Sequence, residues 1–397
     1  MCSPRAAICS LSGSDVASKS SHTKRRFSSS SGRRSARPSA RSAATGSSSR
    51  RFAGASDPAR RIRSVAEPEV SVVIPTRDRW PHLTRALRSV LAQEDVDLEV
   101  IVVDDGSTDE TSARLAEVDD PRVVVVHREP PHGVARARNT GIEHARGTWL
   151  AFLDDDDLWA PRKLRAQLDA AAAVGAGFAY SGVIHLDKSR QHVAFVGRPP
   201  DPADLERRLL VHNVVPGGCS NAVLRADVVA RVGPFDERLA ELADWDLWIR
   251  AVAVTTGAVV QEYQVGYLEH EQNMLFRDKP RVREELDYLA DKYAAARRAH
   301  GVKLDRRYFR NWVGYQYRRA ARIHRDEERS VLAARYFLKA AVLSSNPLDL
   351  VRAATALVGE RSLRVARAFK RLVRRKPTYA VPPDQSPTGP SWLEAYR

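Results

Sequence analysis

From position 69 onward the chain alternates between two hydrophobic periods. Residues 70–75 (VSVVIP), 98–103 (LEVIVV), 122–127 (RVVVVH) and 148–153 (TWLAFL) are short, rich in β-branched residues and apolar on both faces. That is the pattern of parallel strands buried on both sides. Between them the apolar positions recur at helical spacing. In 80–92, Leu83, Leu87, Val90 and Leu91 share a face; 111–118, 134–145 and 161–174 follow, the last with Pro161 placed to open its first turn. Strand and helix in strict alternation predict a doubly wound, mostly parallel α/β sheet. Such sheets bind ligands at the carboxyl ends of their strands.

Residues 178–274 are more mixed and carry Gly/Pro-marked stretches at VVPGGCSN and VGPFDERL. From 281 to about 376 the spacing is helical and laced with arginine, a helical C-terminal extension. Within it, 334–347 (ARYFLKAAVLSSNP) resembles the second helix of a tetratricopeptide hairpin, in a single copy that makes no solenoid. The expected organisation is a leader over 1–67, an α/β domain over 68–277, the helical region over 278–376 and a Pro-rich disordered tail over 377–397. No apolar run reaches the roughly 20 residues of a membrane-spanning helix.

The net charge of +15 looks like a nucleic-acid signal until it is located. Residues 1–66 hold 14 Lys/Arg against Asp15 and Asp57, which leaves +3 for everything after them. No nucleic-acid partner is therefore expected for the folded body. The Ser/Arg-rich leader buries too little apolar surface to offset the entropy of ordering and reads as disordered. Its composition suits an organelle transit peptide or a nucleic-acid tail, and a later start, as at Val65, is a third reading; the plainest is a leader without function. Cys2, Cys9 and Cys219 form neither a disulfide framework nor a zinc spacing, which fits a reducing, cytoplasmic setting.

The chemistry gathers where the strands end. PTRDR (75–79) follows the first strand, DDGSTD (104–109) the second and DDDD (154–157) the fourth. No GxGxxG or GxxxxGK[ST] cradles a phosphate here. A nucleotide diphosphate cannot sit bare against so many carboxylates; a divalent cation between them resolves the conflict, and oxygen ligands favour Mg²⁺ or Mn²⁺. The plain alternatives are Asp157 as a helix cap, Asp78 and Thr76 as another, and Asp104–Asp109 as turn and cap residues.

Taken together, VSVVIPTRDRW, LEVIVVDDGSTDET, VARARNTGIEHARGTWLAFLDDDDLWAPRKL and the later VGPFDERLAELADWDLWIRA resemble the donor and acceptor segments of family 2 glycosyltransferases of the GT-A fold, over about 69–274. The resemblance implies an inverting enzyme that takes a nucleotide-diphosphate sugar to a glycan or lipid-linked hydroxyl acceptor, in cell-envelope or extracellular glycan synthesis. Pro75, Thr76, Asp78 and Asp105 would line the nucleoside pocket, and Asp155 would lie near the donor ribose or sugar. Arg138 would reach the donor, with a helix-face ion pair as its alternative. Asp154, Asp156 and His270 would hold the metal, and Asp244 would be the general base, with Asp246 the alternative. Ala243 stands where the family usually has an acid. The rival readings are a nucleotidyltransferase, which would want an early Gly-rich basic loop, and a non-catalytic nucleotide- or carbohydrate-binding protein. Residues 352–376 carry nine Lys/Arg against Glu360 and read either as a helix on an anionic membrane surface or as a packing helix with a solvated basic side. The first reading places the protein in the cytoplasm, peripherally on the inner face of the membrane.

Overall fold

The computed structural model describes residues 67–186, 193–270, 281–344, 346–358 and 390–396. Nine strands make one sheet: β1 (Val70–Thr76), β2 (Leu98–Asp104), β3 (Val123–His127), β4 (Trp149–Phe152), β5 (Leu158–Trp159), β6 (Phe178–Leu186), β7 (Val193–Gly197), β8 (Val223–Arg225) and β9 (Gly257–Leu268). Their order is β3-β2-β1-β4-β8-β6-β9-β5, with β7 also paired to β6. The four strands foreseen from the sequence form the parallel half, β3-β2-β1-β4. Beyond β4 the sheet is mixed: β8 runs antiparallel to β4 and β6, while β9 is parallel to β6. The order reverses between β1 and β4, so their carboxyl ends lie side by side at the switch point.

Burial explains the strand sequences. Both β1 and β2 are buried along their whole length, as continuous apolar runs should be. By contrast β3, expected to be buried on both faces, is an edge strand and only half-buried, because it has a neighbour on one side alone. Helices α1 (Trp80–Leu91), α2 (Val134–His144), α3 (Lys163–Val174) and α4 (Ala243–Val252) cover the two faces. On one face α1 and α3 meet Val70, Val72, Ile74, Val100 and Val102; on the other α2 and α4 meet Val73, Ile101, Val103 and Phe152. Gly141 lets α2 lie close on β1, since a Cβ there would stand 2.2 Å from Val73 Cγ1. Helix α3 begins at Lys163, so Pro161 lies in the turn before it, and no side chain caps it. Asp157 is not its cap; that carboxylate accepts the N–H of Leu268 at 3.4 Å.

The C-terminal helices α5 (Arg281–Lys292), α6 (Arg306–Asp326), α7 (Ser330–Ser344) and α8 (Pro347–Val358) continue the body. On α5, Glu285 accepts the N–H groups of Ala240, Glu241 and Leu242, each at 3.0 Å, just ahead of α4. On α4, Asp246 is fully buried; it accepts from Arg250 Nε at 2.9 Å and Tyr293 Oη at 2.6 Å and pairs with Lys292 Nζ at 2.6 Å. From α6, Arg319 Nε donates to Glu269 at 2.9 Å, at the end of β9. The hairpin-like segment falls on α7, packed between α6 and α8 around Ala321, Ala333, Ala334, Phe337, Ala353 and Ala356.

The tail differs from its expected disorder at its end. Ser391–Tyr396 forms a 3₁₀ turn with Leu393 and Tyr396 buried against Leu158, Ile184, Leu186 and Leu268. Its aromatic and leucine side chains supply apolar area that the preceding Pro-rich stretch lacks. The leader 1–66 and the basic stretch beyond Val358 lie outside the described residues. Among the described residues no helix is long and apolar enough to cross a membrane.

Breaking the Asp246 cluster should unfold the protein readily. Asp246→Asn leaves the buried Arg250 without its counter-charge and Lys292 with Asp236 alone, and the expected loss is about 3–5 kcal/mol. Urea denaturation checks this; an unchanged midpoint would show that the cluster does not hold α4 to α5.

Candidate active site

At the carboxyl ends of β1 and β4 the chain turns through Asp154–Asp157, and the four aspartates are held by different sets of partners, with Arg79 shared between two of them. Ser220 Oγ accepts the N–H of Asp154 at 3.0 Å, and Asp157 N–H closes the turn on the Asp154 carbonyl at 3.1 Å. The Asp154 carboxylate pairs with Arg138 Nη2 from α2. Asp155 accepts from Thr76 Oγ1 at 2.8 Å and from Arg79 Nη1 at 3.0 Å. Asp156 accepts from the same Arg79 Nη1 at 2.8 Å, and its Oδ2 lies 3.0 Å from His270 Nε2. Burial, with Asp156 adding to it, pushes Asp155 up to about 7. Burial likewise raises Asp157 well above the usual carboxylate range, with Asp156 and Asp154 reinforcing it. For Asp156 burial works the other way from the outcome: the His270 hydrogen bond and the Arg79 charge outweigh it, and the carboxyl is lowered.

His270 is buried and stacks on His82 of α1, ring centroids 4.6 Å apart. Asp156 and His270 thus present one carboxylate oxygen and one imidazole nitrogen side by side. An oxygen and an imidazole nitrogen are donor types that Mg²⁺ or Mn²⁺ accepts. Among the described residues no three or more His, Cys, Asp or Glu side chains are grouped as ligands.

The nucleotide-side residues fasten loops to one another. Pro75 and Thr76 end β1, in register with Val103 and Asp104 of β2. Asp78, at a left-handed φ of 54°, accepts the N–H groups of Thr108 at 2.6 Å and Asp109 at 3.2 Å, while its own N–H reaches Ser107 Oγ at 2.9 Å. The Thr108 N–H is the main reason its carboxyl lies below the usual range. Neither Asp78 nor Thr76 caps α1. Asp105 accepts the N–H groups of His132 at 3.1 Å and Gly133 at 2.8 Å, and so ties the second strand end to the start of α2. Asp109 does take the Thr111 N–H at 2.8 Å, as turn-and-cap chemistry foresaw.

Asp244 stands in the first turn of α4, within electrostatic reach of Arg138 and Asp154. Its Oδ1 takes the N–H of Trp245 at 2.6 Å, and its Oδ2 takes Asn213 Nδ2 at 3.2 Å. Burial raises its pKa to about 6, with Asp154 adding to the rise and the Trp245 N–H and Arg138 opposing it. Arg138 is therefore shared electrostatically between Asp154 and Asp244, and its partner comes from the acidic turn rather than from its own helix. Asn139 ties α2 to the VGPFDE loop instead, donating to the Phe235 carbonyl at 3.0 Å and accepting the Phe235 N–H at 2.9 Å. Sequence reasoning gave no role to Arg79, His82 or Asn213. Arg79 stood inside the PTRDR motif and was legible there as a cation among carboxylates; Asn213 carried no signal beyond its nearness to VVPGG.

With the geometry described, the chain can be set beside known proteins. Residues 71–233 match the family model described as Glycosyl transferase family 2. The chain is similar to the succinoglycan biosynthesis protein ExoO of Rhizobium meliloti (strain 1021), 35% identical over 51% of this chain and 61% of that relative. It is similar to the UDP-Glc:alpha-D-GlcNAc-diphosphoundecaprenol beta-1,3-glucosyltransferase WfgD of Escherichia coli, 27% identical over 50% of this chain and 77% of WfgD. It is also similar to a PGL/p-HBAD biosynthesis glycosyltransferase of Mycobacterium bovis (strain BCG / Pasteur 1173P2), 34% identical over 47% of this chain and 70% of that protein. With the strand-end carboxylates and the matched segment coinciding, the chain belongs to glycosyl transferase family 2.

Proposed function

We propose that the protein transfers a sugar from a nucleotide-diphosphate donor to a hydroxyl group of a glycan or lipid-linked acceptor, with inversion at the anomeric carbon. The observation that carries this reading is Asp244 within electrostatic reach of the Arg138–Asp154 pair, with a pKa raised to about 6. A carboxylate poised there is ionised at neutral pH yet basic enough to accept a proton. The names of the relatives, a succinoglycan protein and a UDP-glucose-dependent glucosyltransferase, support an envelope or extracellular glycan as product and a UDP-sugar as first donor to try.

Each residue then has a task. Pro75, Thr76, Asp78 and Asp105 shape the loops around the nucleoside. Asp155, held by Thr76 and Arg79, faces the ribose or sugar. Arg79 and Arg138 keep cationic charge beside the diphosphate. Asp156 and His270 would hold Mg²⁺ or Mn²⁺, which when bound would neutralise charge on the departing nucleotide diphosphate, while the Asp154 carboxylate, foreseen as a third ligand, is engaged by Arg138. Asp244 takes the acceptor hydroxyl proton as that oxygen attacks the anomeric carbon opposite the leaving group; one displacement inverts the centre. The bond formed is oxygen to anomeric carbon, the bond broken is anomeric carbon to diphosphate oxygen, and the proton ends on Asp244. We further propose a cytoplasmic protein attached peripherally to the inner membrane face, with the basic stretch 352–376 as its contact with anionic lipid.

Two outcomes check the chemistry, read as nucleotide diphosphate release from a panel of UDP-, GDP- and dTDP-sugars. Asp244→Asn should lower kcat by about 10²- to 10⁴-fold with little change in donor KM. The wild-type rate should fall as pH drops below about 6, where Asp244 takes up its proton, and level off above it. Turnover of no nucleotide sugar by the full chain, or wild-type turnover by Asp244→Asn, would overturn the reading.

The metal has its own test. Turnover should require Mg²⁺ or Mn²⁺ and stop with chelator, and Asp156→Ala should weaken nucleotide-sugar binding measured by calorimetry. Full activity in chelator would remove the metal from the mechanism.

A further inference from the structure

Asp244 sits on a side chain with two rotatable bonds, and a base must aim its lone pairs as well as hold the right charge. Trp245 N–H fixes one of its oxygens and Asn213 Nδ2 the other, at 2.6 and 3.2 Å. The Asn213 amide has no freedom to turn over: its Oδ1 accepts the N–H of Val215 at 3.2 Å, so its NH₂ must face Asp244. The loop that carries Asn213 is itself held in place. Asn221 Nδ2 donates to the Pro216 carbonyl at 2.8 Å. Gly217 and Gly218 then turn the chain through two successive left-handed residues, at φ 74° and 56°. A Cβ on Gly217 would meet Val183 Cγ2 at 2.6 Å, and one on Gly218 would stand 3.4 Å from Asp244 Oδ2. The backbone therefore passes close beside the carboxylate that Asn213 holds.

We infer that Asn213 is a positioning residue for the transfer reaction, orienting Asp244 so that its lone pairs meet the acceptor hydroxyl; this rests on Asp244 being the base. With one hydrogen bond on each oxygen, the plane of the carboxylate is set by Trp245 and Asn213 together. Only the acceptor step uses this orientation, so donor binding is left alone.

The variants separate orientation from loop structure. Asn213→Asp keeps the oxygen that accepts Val215 N–H and removes the NH₂, whereas Asn213→Ala removes both. With the full chain and the nucleotide sugar it turns over fastest, Asn213→Ala should lower kcat by about 10- to 100-fold, the range of a lost hydrogen bond to a charged group. Donor KM should stay within about twofold. Asn213→Asp should fall at least as far, and its rate profile should shift to higher pH, because the new carboxylate stands beside Asp244. In an Asp244→Asn background, Asn213→Ala should cost less than about twofold more, because a residue acting only through Asp244 has nothing left to orient. Wild-type kcat for Asn213→Asp, or full multiplication of the two losses in the double variant, would overturn the inference while the base assignment stands. Wild-type kcat for Asp244→Asn would overturn the base assignment, and this inference with it.

Discussion

Four adjacent carboxylates repel one another, and the site is arranged around that repulsion. Two like charges 4 Å apart cost about 4 kcal/mol at an effective dielectric of 20, so a bare Asp154–Asp157 turn would not stay folded. The protein answers with guanidinium groups from two separate elements, Arg79 from the loop after β1 and Arg138 from α2, and with His270 at the end of β9 hydrogen-bonded to Asp156. It also lets burial suppress charge, which is why Asp155 rises to about 7 and Asp157 further out of its usual range. The neighbouring carboxyl ends of β1 and β4 make this economical, because Thr76 and Arg79 reach the turn within one loop. On the proposed reading, the same cations that neutralise the turn are those a diphosphate requires, so folding and donor binding draw on one set of charges.

The C-terminal helices extend this arrangement outward. Glu285 fixes the three N–H groups ahead of α4, and the Asp246 cluster fixes the helix that carries Asp244. Arg319 grips Glu269, the residue before His270. The last turn, Ser391–Tyr396, packs on β5, β6 and β9, beside the strands that lead into Asp157 and out to His270. Asp244 and His270 are thus each braced from outside the family-matched segment 71–233. A construction of this kind makes the helical region part of how the site keeps its geometry.

What the sequence made legible follows the range of the forces involved. Strands β1, β2 and β4, the helices between them and the acid-rich strand ends were readable because periodicity and turn chemistry are local. The edge position of β3 was not, since four valines look alike whether a strand has one neighbour or two. Nor was the partner of Asp154: Arg138 is 16 residues away, and the helix between could have paired it with its own neighbours. The antiparallel strands beyond β4 rest on pairings such as β5 with β9, which join residues about a hundred positions apart and leave no local trace. Asn213 was silent for the same reason, 31 positions from the carboxylate it holds.

Asp244 and Asp246 show where periodicity helps and where it stops. Two residues apart on an α-helix, their side chains point about 200° apart, so a helix half-sunk in a core must give them opposite fates. The spacing alone cannot say which faces the cleft. The surroundings decide: Lys292, Arg250 and Tyr293 converge on Asp246, a set whose charges and hydroxyl need a buried acceptor. Among the described residues Asp244 accepts the Trp245 N–H and the Asn213 amide, one on each oxygen, which leaves acceptor capacity on both. A carboxylate engaged by two cations is a poor base, because protonating it would leave the buried Arg250 without its counter-charge. The unsaturated one, lifted to about 6 by burial, can take a proton and release it again.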